Sequence, residues 1–142
     1  MSVTRKLDES GVEYALVGGL AVAVWGAPRA TQDIDLLVQA EQLEAALAAV
    51  EPLGFKLRAL PMKFRDGMEL QRVSKVEEGE LLTLDFILVG SSLEPVWQSR
   101  QVVESEGGPL WVVSREKLIQ MKVGAGRPQD LADVERLQEM DR

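Results

Sequence analysis

The sequence contains no cysteine and no histidine, two residues that carry much of enzyme chemistry. Without cysteine, the chain has no disulfide and no thiolate metal site, which agrees with a reducing compartment. The double absence also excludes Ser-His and Cys-His nucleophiles, imidazole general bases and most zinc sites. Catalysis by this chain must therefore depend on carboxylates, lysine, arginine or tyrosine.

Long apolar runs and excess positive charge are also missing. No segment approaches the roughly 18 apolar residues that a membrane span requires, and residues 1–10 carry charges where a signal peptide needs an apolar run. We therefore expect a cytoplasmic protein with no membrane partner. The net charge of −7 disfavours broad electrostatic binding of DNA or RNA. The length of 142 residues predicts one domain over residues 1–142.

The spacing of apolar residues and turn residues predicts an α+β protein, with a mixed β-sheet flanked by helices. The predicted helices cover residues 2–10, 20–25, 41–53, 95–103, 114–124 and 130–140, and Ser114 is the predicted N-cap of the fifth. The predicted strands cover residues 13–17, 33–38, 55–60, 69–76, 81–89 and 110–113. A turn at residues 77–80 joins the two longest strands into a predicted antiparallel hairpin.

Three aspartates are the candidate catalytic and metal-binding residues. Side chains alternate between the two faces of a strand, so Asp33 and Asp35 project from the same face. Asp85 has the same arrangement in a later strand, and pairing of the two strands would place three carboxylates together. Such carboxylates repel one another unless a cation lies between them, and Mg²⁺ prefers oxygen ligands. Three carboxylates suffice to bridge two Mg²⁺ ions, which can activate an attacking oxygen and stabilise leaving pyrophosphate.

Gly18 and Gly19 are candidates for nucleotide binding. They lie at the predicted junction of a strand and a helix, where glycine lets the backbone approach an anion and free N–H groups favour phosphate. The triphosphate of a nucleoside triphosphate fits this position.

Arg29, Thr31 and Lys122 are the other candidates for nucleotide binding. Arg29 and Thr31 precede the aspartate pair closely enough for the guanidinium to reach a phosphate, although a surface ion pair is the alternative. Lys122 lies among apolar residues of a predicted helix. It either extends its ammonium from a buried face to solvent or directs it toward the phosphates.

These motifs together resemble a known superfamily. Val17-Gly18-Gly19, followed after thirteen residues by Asp33-Ile34-Asp35-Leu36-Leu37 and then by Asp85 in a later strand, is similar to the DNA polymerase β-like nucleotidyltransferases. Within that superfamily, the pattern most resembles the abortive-infection nucleotidyltransferases of type IV toxin–antitoxin systems and related uncharacterised bacterial proteins.

The resemblance implies a nucleotidyltransferase fold and transfer of a nucleoside monophosphate from an NTP to an acceptor hydroxyl on RNA, protein or a small molecule. It also implies that Asp33 and Asp35 bind both metals, and that Asp85 completes the site and helps to deprotonate the acceptor. A cognate antitoxin is an implied partner. Many members carry serine after the second glycine, whereas this chain has Leu20. The alternative is therefore an inactive module that binds a nucleotide or a partner with the same fold.

Overall fold

The computed structural model describes residues 2–26, 33–65 and 67–139. The helices are α1 (Ser2–Glu9), α2 (Gly18–Val24), α3 (Leu43–Val50), α4 (Glu94–Gln98), α5 (Arg115–Ala125) and α6 (Pro128–Glu139). The strands are β1 (Ala15–Val17), β2 (Asp33–Gln39), β3 (Leu57–Arg58), β4 (Met62–Lys63), β5 (Glu69–Glu77), β6 (Glu80–Val89), β7 (Gln101–Ser105) and β8 (Gly108–Val112). The predicted α+β class, a mixed sheet flanked by helices, is confirmed.

The strands of the described residues form one mixed sheet in the order β3-β5-β6-β2-β1-β8-β7, with β4 paired to β5. Strand β2 runs parallel to β6 and antiparallel to β1, and β1 runs parallel to β8. Hairpins join β5 to β6 and β7 to β8. The predicted hairpin around residues 77–80 is thus confirmed, and β2 and β6 lie side by side at the centre of the sheet.

Strand β1 and the middle of β2 are buried because their side chains are aliphatic. All three residues of β1 are buried, and Leu36, Leu37 and Val38 of β2 are fully enclosed. On the helical side, α5 packs against α6 and α2, while α1 packs against α3. Since an apolar sheet centre anchors β2 rigidly, the polar residues at the start of β2 are held in a fixed position.

Local signals set the ends of several helices. Gly11 adopts the left-handed conformation after α1, as expected of a glycine that ends a helix. The Ser114 hydroxyl accepts a hydrogen bond of 3.1 Å from the Lys117 backbone N–H, which confirms Ser114 as the N-cap of α5. The Trp25 indole N–H donates to the Val113 carbonyl at 3.0 Å, which ties the end of α2 to the segment between β8 and α5.

The prediction of a helix over residues 95–103 is wrong in its second half. Helix α4 ends at Gln98, and the Ser99 hydroxyl donates to the Val96 carbonyl at 2.6 Å, which satisfies one of the carbonyls at the helix end. Strand β7 then begins at Gln101 and pairs with β8 across a turn at Gly108, which has a positive φ. Long-range pairing with β8, which local periodicity does not report, decides the conformation of this segment.

Among the described residues, none of the helices is both long and apolar enough to cross a lipid bilayer.

Candidate active site

The structure brings the three predicted aspartates together on one face of the sheet. In the parallel pairing of β2 with β6, Asp35 lies directly opposite Asp85, and Asp33 lies opposite Thr83. Because Asp33 and Asp35 are two residues apart, all three carboxylates project from the same face. We call Asp33, Asp35 and Asp85 the carboxylate row. Its existence depends on the register of β2 and β6, since a slip of one residue would move Asp85 to the opposite face.

Two members of the carboxylate row have well-defined partners. The Thr83 hydroxyl donates a hydrogen bond of 2.5 Å to Oδ1 of Asp33. Arg72 of β5 lies opposite Asp85 and binds it with both arms of its guanidinium, Nε to Oδ1 at 2.8 Å and Nη2 to Oδ2 at 3.0 Å. Asp85 is only 6% exposed, so Arg72 compensates a buried negative charge.

Arg72 is a site residue that the sequence prediction missed, although the sequence contains a signal for it. Arg72 lies five residues before Glu77, and Asp85 lies five residues after Glu80. In an antiparallel hairpin closed by the turn at residues 77–80, these two positions are directly opposite and on one face. The predicted hairpin therefore already implied an Arg72–Asp85 pair.

Asp35 lies at the centre of the carboxylate row and has the most perturbed titration. Burial, followed by repulsion from Asp85 and Asp33, raises the pKa of Asp35 to about 6. The positive charges of Lys122 and Arg72 oppose this rise without cancelling it. A carboxylate that loses its proton reluctantly in the free protein is one whose ionised form a bound cation would stabilise.

Gly18 gives the Asp35 carboxylate the space that it occupies. Gly18 has a φ of +70°, and a Cβ at this position would collide with Oδ2 of Asp35 and lie 3.1 Å from its Cβ and Cγ. Gly18 therefore has two reasons to be glycine, the left-handed backbone and the contact with the carboxylate. Gly19 is buried in the first turn of α2. The predicted role of Gly18 and Gly19 in phosphate binding stays a prediction.

Lys122 is buried, and it is paired with two aspartates of α6. Its Nζ lies 3.2 Å from Oδ1 of Asp130 and 3.2 Å from Oδ2 of Asp133. Arg127 binds the same Asp130 through its Nε at 2.6 Å, and its own side chain is 75% exposed. Extension of Lys122 to solvent, the first of the two alternatives, does not describe this buried ion-pair network. A role of Lys122 in nucleotide binding stays a prediction.

A cavity of about 400 Å³ opens beside Asp35. Its lining includes Gly18 at the start of α2 and four charged residues, Asp35, Lys122, Arg127 and Asp130. It also includes the apolar side chains of Met68, Ile87, Leu93, Leu118 and Met121. The volume lies within the range of pockets for small molecules, and the combination of an apolar wall with a few convergent charges is typical of such pockets.

The donor chemistry of the carboxylate row fits Mg²⁺, because its ligands would be carboxylate oxygens and Gly18 leaves room for the Asp35 carboxylate. Within residues 2–26, 33–65 and 67–139, however, no three acidic side chains are grouped closely enough to hold one metal ion as they stand. In this arrangement Arg72 occupies both oxygens of Asp85. Arg29 and Thr31, predicted to bind the nucleotide, lie outside the described residues.

The sequence matches one known protein family over nearly its whole length. Residues 2–141 match a family described as "Nucleotidyltransferase of unknown function (DUF6036)". Among curated proteins, no sequence matches this chain.

Solved structures share the fold. A provisionally assigned nucleotidyltransferase from Thermotoga maritima superposes with a TM-score of 0.68 and 17% identity, over 99% of this chain and 89% of that one. The lincosamide antibiotic adenylyltransferase LnuA, bound to lincomycin, superposes with a TM-score of 0.67 and 16% identity, over 97% of this chain and 93% of that one. ANT(2")-Ia in complex with adenylyl-2"-tobramycin superposes with a TM-score of 0.60 and 20% identity, over 96% of this chain and 83% of that one. At these identities the similarity confirms the predicted nucleotidyltransferase fold and nothing finer.

The contact between Gly18 and Asp35 predicts that Gly18→Ala destabilises the protein more than Gly11→Ala does. Both glycines have a φ near +70°, but nothing lies within 4 Å of a Cβ at Gly11. We expect Gly11→Ala to lower the free energy of unfolding by about 1 kcal/mol through the backbone alone. Gly18→Ala should cost roughly 1–3 kcal/mol more, because its Cβ overlaps Asp35. Urea denaturation measures both values.

A double variant isolates that contact. If Asp35 is replaced by glycine, which removes its Cβ, Cγ and Oδ2 together, the excess cost of Gly18→Ala over Gly11→Ala should shrink to within about 0.5 kcal/mol. An excess that persists after truncation would mean that Gly18 is required for a reason other than Asp35.

The ion pairs of Asp130 predict a pH dependence of stability. The hydrogen bond from Arg127, followed by the one from Lys122, lowers the pKa of Asp130 to about 2 from its usual 3.8, against the opposing effect of burial. The folded-state pKa is depressed, so the stabilisation is present above pH 3.8 and is lost as the pH falls toward 2. Asp130→Asn should therefore lower the free energy of unfolding at pH 7, by an amount that diminishes below about pH 4. Urea denaturation across this range measures it, with exposed Glu135→Gln on the same helix as control. A deficit independent of pH would contradict the assignment.

Proposed function

Because the chain belongs to the DUF6036 family of nucleotidyltransferases, we propose that it transfers a nucleoside monophosphate from an NTP to the hydroxyl of a small acceptor molecule, with Mg²⁺ as cofactor. One observation carries the proposal. Asp35 and Asp85 are paired in register, with Asp33 two residues away, beside a cavity large enough for a small molecule. Nucleotidyltransferases as a class use divalent metal ions, and carboxylates on a rigid sheet are suitable ligands.

The proposed reaction is an in-line displacement at the α-phosphorus. The acceptor oxygen attacks, and a new bond forms between that oxygen and the α-phosphorus. The bond between the α-phosphorus and the oxygen bridging to the β-phosphate breaks, and pyrophosphate leaves with the electron pair. The hydroxyl proton passes to Asp85, the residue to which the resemblance assigns this role. Mg²⁺, when bound, supplies positive charge that activates the attacking oxygen and stabilises the leaving group.

The residues of the chain divide the work as follows. Asp33 and Asp35 would hold both ions, and Asp85 would complete the site. The apolar strand centres that flank Asp35 and Asp85 exclude water from one side of the row, which strengthens every electrostatic interaction there. The Thr83 hydroxyl orients Asp33 through its 2.5 Å hydrogen bond.

The triphosphate is proposed to bind beside Gly18, Lys122 and Arg127, which are among the residues that line the cavity. Gly18 and Gly19 supply backbone N–H groups at the start of α2. Arg127 is the more accessible cation, since its side chain is 75% exposed while Asp130 fixes one edge of the guanidinium. Leu20, which stands where many relatives carry serine, packs against the hydrophobic core and offers no hydroxyl. The backbone would therefore take over the role of that serine.

The acceptor is proposed to be a small molecule with an apolar part. The cavity has an apolar wall, and a net charge of −7 attracts polyanions poorly. The similar structures of LnuA and ANT(2")-Ia contain small molecules, lincomycin in the first and adenylyl-2"-tobramycin in the second. An RNA or protein acceptor, which the sequence left open, finds no comparable feature among the described residues.

A nucleotide-binding module without turnover is the second candidate function. Two observations favour it, the occupation of both Asp85 oxygens by Arg72 and the presence of Leu20. Such a module would bind an NTP with Mg²⁺ and would release no pyrophosphate with any acceptor.

We further propose that residues 1–142 act as a single domain and that the site of action is the cytoplasm. The toxin–antitoxin role, with a cognate antitoxin as partner, stays a prediction of the resemblance. The family match stops at the level of a nucleotidyltransferase.

The first prediction of the proposal concerns NTP binding. Wild type should bind one or more of the four NTPs only when Mg²⁺ is present, and Asp33→Asn/Asp35→Asn should weaken this binding by at least about tenfold, because two metal ligands are removed. Isothermal titration measures the affinities. Asp8→Asn, an exposed aspartate of α1, is the control and should leave them unchanged.

Misfolding would not explain such a loss. Burial and neighbouring carboxylates raise the pKa of Asp35 to about 6, so the folded protein favours the protonated carboxyl over the ionised one. The contribution of the protonated carboxyl to stability is lost as the pH rises through 6. At pH 8, Asp35→Asn should therefore unfold at a urea concentration no lower than wild type does. Full retention of Mg²⁺-dependent binding in the double variant would contradict the proposed site.

The second prediction concerns the acceptor. With Mg²⁺ and the preferred NTP, pyrophosphate release should rise above background for hydroxyl-bearing small molecules that have an apolar part, such as lincosamides. It should stay at background for RNA and for protein acceptors. Met121→Asp, which places a charge in the apolar wall at a partly buried position, should raise the KM for the acceptor more than that for the NTP. Labelling of RNA or protein alone would overturn the proposed acceptor class.

A further inference from the structure

Arg72 is a cation that binds a member of the carboxylate row directly. Its guanidinium donates to both oxygens of Asp85, at 2.8 Å and 3.0 Å. The side chain of Arg72 is 44% exposed and that of Asp85 only 9%, so the arginine covers the buried carboxylate from the solvent side. A two-point guanidinium contact of this kind fixes both the position and the plane of the carboxylate.

Register places Arg72, Asp85 and Asp35 in one line across three neighbouring strands. Arg72 is opposite Asp85 in the pairing of β5 with β6, and Asp85 is opposite Asp35 in the pairing of β6 with β2. The line thus carries a positive charge at its outer end and two carboxylates behind it. The ion pair with Asp85 raises the pKa of Arg72 still further, so the guanidinium is charged at every working pH.

A divalent cation and Arg72 would compete for the negative charge of the Asp85 carboxylate. Both oxygens of Asp85 are engaged with Arg72, and no three acidic groups of the described residues are grouped as a metal cluster in this arrangement. Each unit of positive charge next to the row also repels an incoming dication. The free protein is therefore neutralised at Asp85 by its own arginine.

We infer that Arg72 is a built-in counter-cation and positioning residue of the carboxylate row: it holds Asp85 in place in the metal-free protein and must yield part of that contact when a divalent cation binds. The inference rests on the proposed function, since it requires that the row binds metal. According to this inference, Arg72 lowers the affinity of the carboxylate row for a divalent cation and, in return, fixes the position of the Asp85 carboxylate. In the absence of metal, the positive charge of Arg72 compensates the buried negative charge of Asp85.

The test is a titration with Mn²⁺ alone, followed by the electron paramagnetic resonance of free Mn²⁺, so that no turnover is needed. Removal of the competing charge in Arg72→Gln should tighten Mn²⁺ binding on the order of tenfold relative to wild type. Arg72→Lys keeps the charge but loses the two-point contact, so Mn²⁺ binding should tighten by a smaller factor. Arg58→Gln is the matched control, because Arg58 lies on β3 and pairs with Glu44 instead of the row.

The outcomes separate this inference from the proposed function. A residue with a merely structural role would weaken Mn²⁺ binding when removed, so Mn²⁺ binding by Arg72→Gln equal to or weaker than that of wild type overturns the inference. If Arg72→Gln does not fold, the same criterion applies to Arg72→Lys. Mn²⁺ binding that survives unchanged in Asp33→Asn/Asp35→Asn would overturn the proposed function and the inference together. Loss in that variant without tightening in the Arg72 variants would overturn the inference alone.

Discussion

The parallel pairing of β2 with β6 is the constraint on which the site depends. Its register sets Asp35 opposite Asp85 and fixes both on the face that α2, α5 and α6 enclose with the cavity. The same pairing buries Leu36 and Phe86 on the other face, so the hydrophobic core and the carboxylate row specify one register together. Burial of the apolar side chains at the centre of the sheet stabilises this pairing and offsets the repulsion among the carboxylates.

Charge around the row is balanced by two separate groups of cations. Arg72 compensates Asp85 from the neighbouring strand β5, whereas Lys122 of α5 and Arg127, which precedes α6, are held by Asp130. The second group is itself an ion-pair network, which explains how a lysine that is only 7% exposed stays compatible with the core. A dication with a triphosphate would enter between these groups, where the Asp35 carboxylate faces the cavity.

The sequence predicted more of the fold than of the site's partners. Strand alternation located Asp33 and Asp35 on one face, since that property is local and has a period of two, whereas Asp85 joins them only through the pairing of β2 with β6. The register of the predicted hairpin implied that Arg72 pairs with Asp85, but the candidate site was chosen from acidic residues and left Arg72 out. The pairing of Lys122 with Asp130 and Asp133 depends on how α5 packs against α6, which no local pattern reports. The segment 95–103 failed for a similar reason, because β8 and not its own periodicity determines its second half.

A crystal structure grown with Mn²⁺ and a non-hydrolysable NTP analogue would locate both ligands, the metal through the anomalous signal of manganese. We expect an anomalous peak at coordination distance from the carboxylate oxygens of Asp33 and Asp35, with the triphosphate extending toward Gly18 and Arg127. A peak at any other acidic group, or an analogue bound away from the carboxylate row, would show that the row is not the metal and nucleotide site.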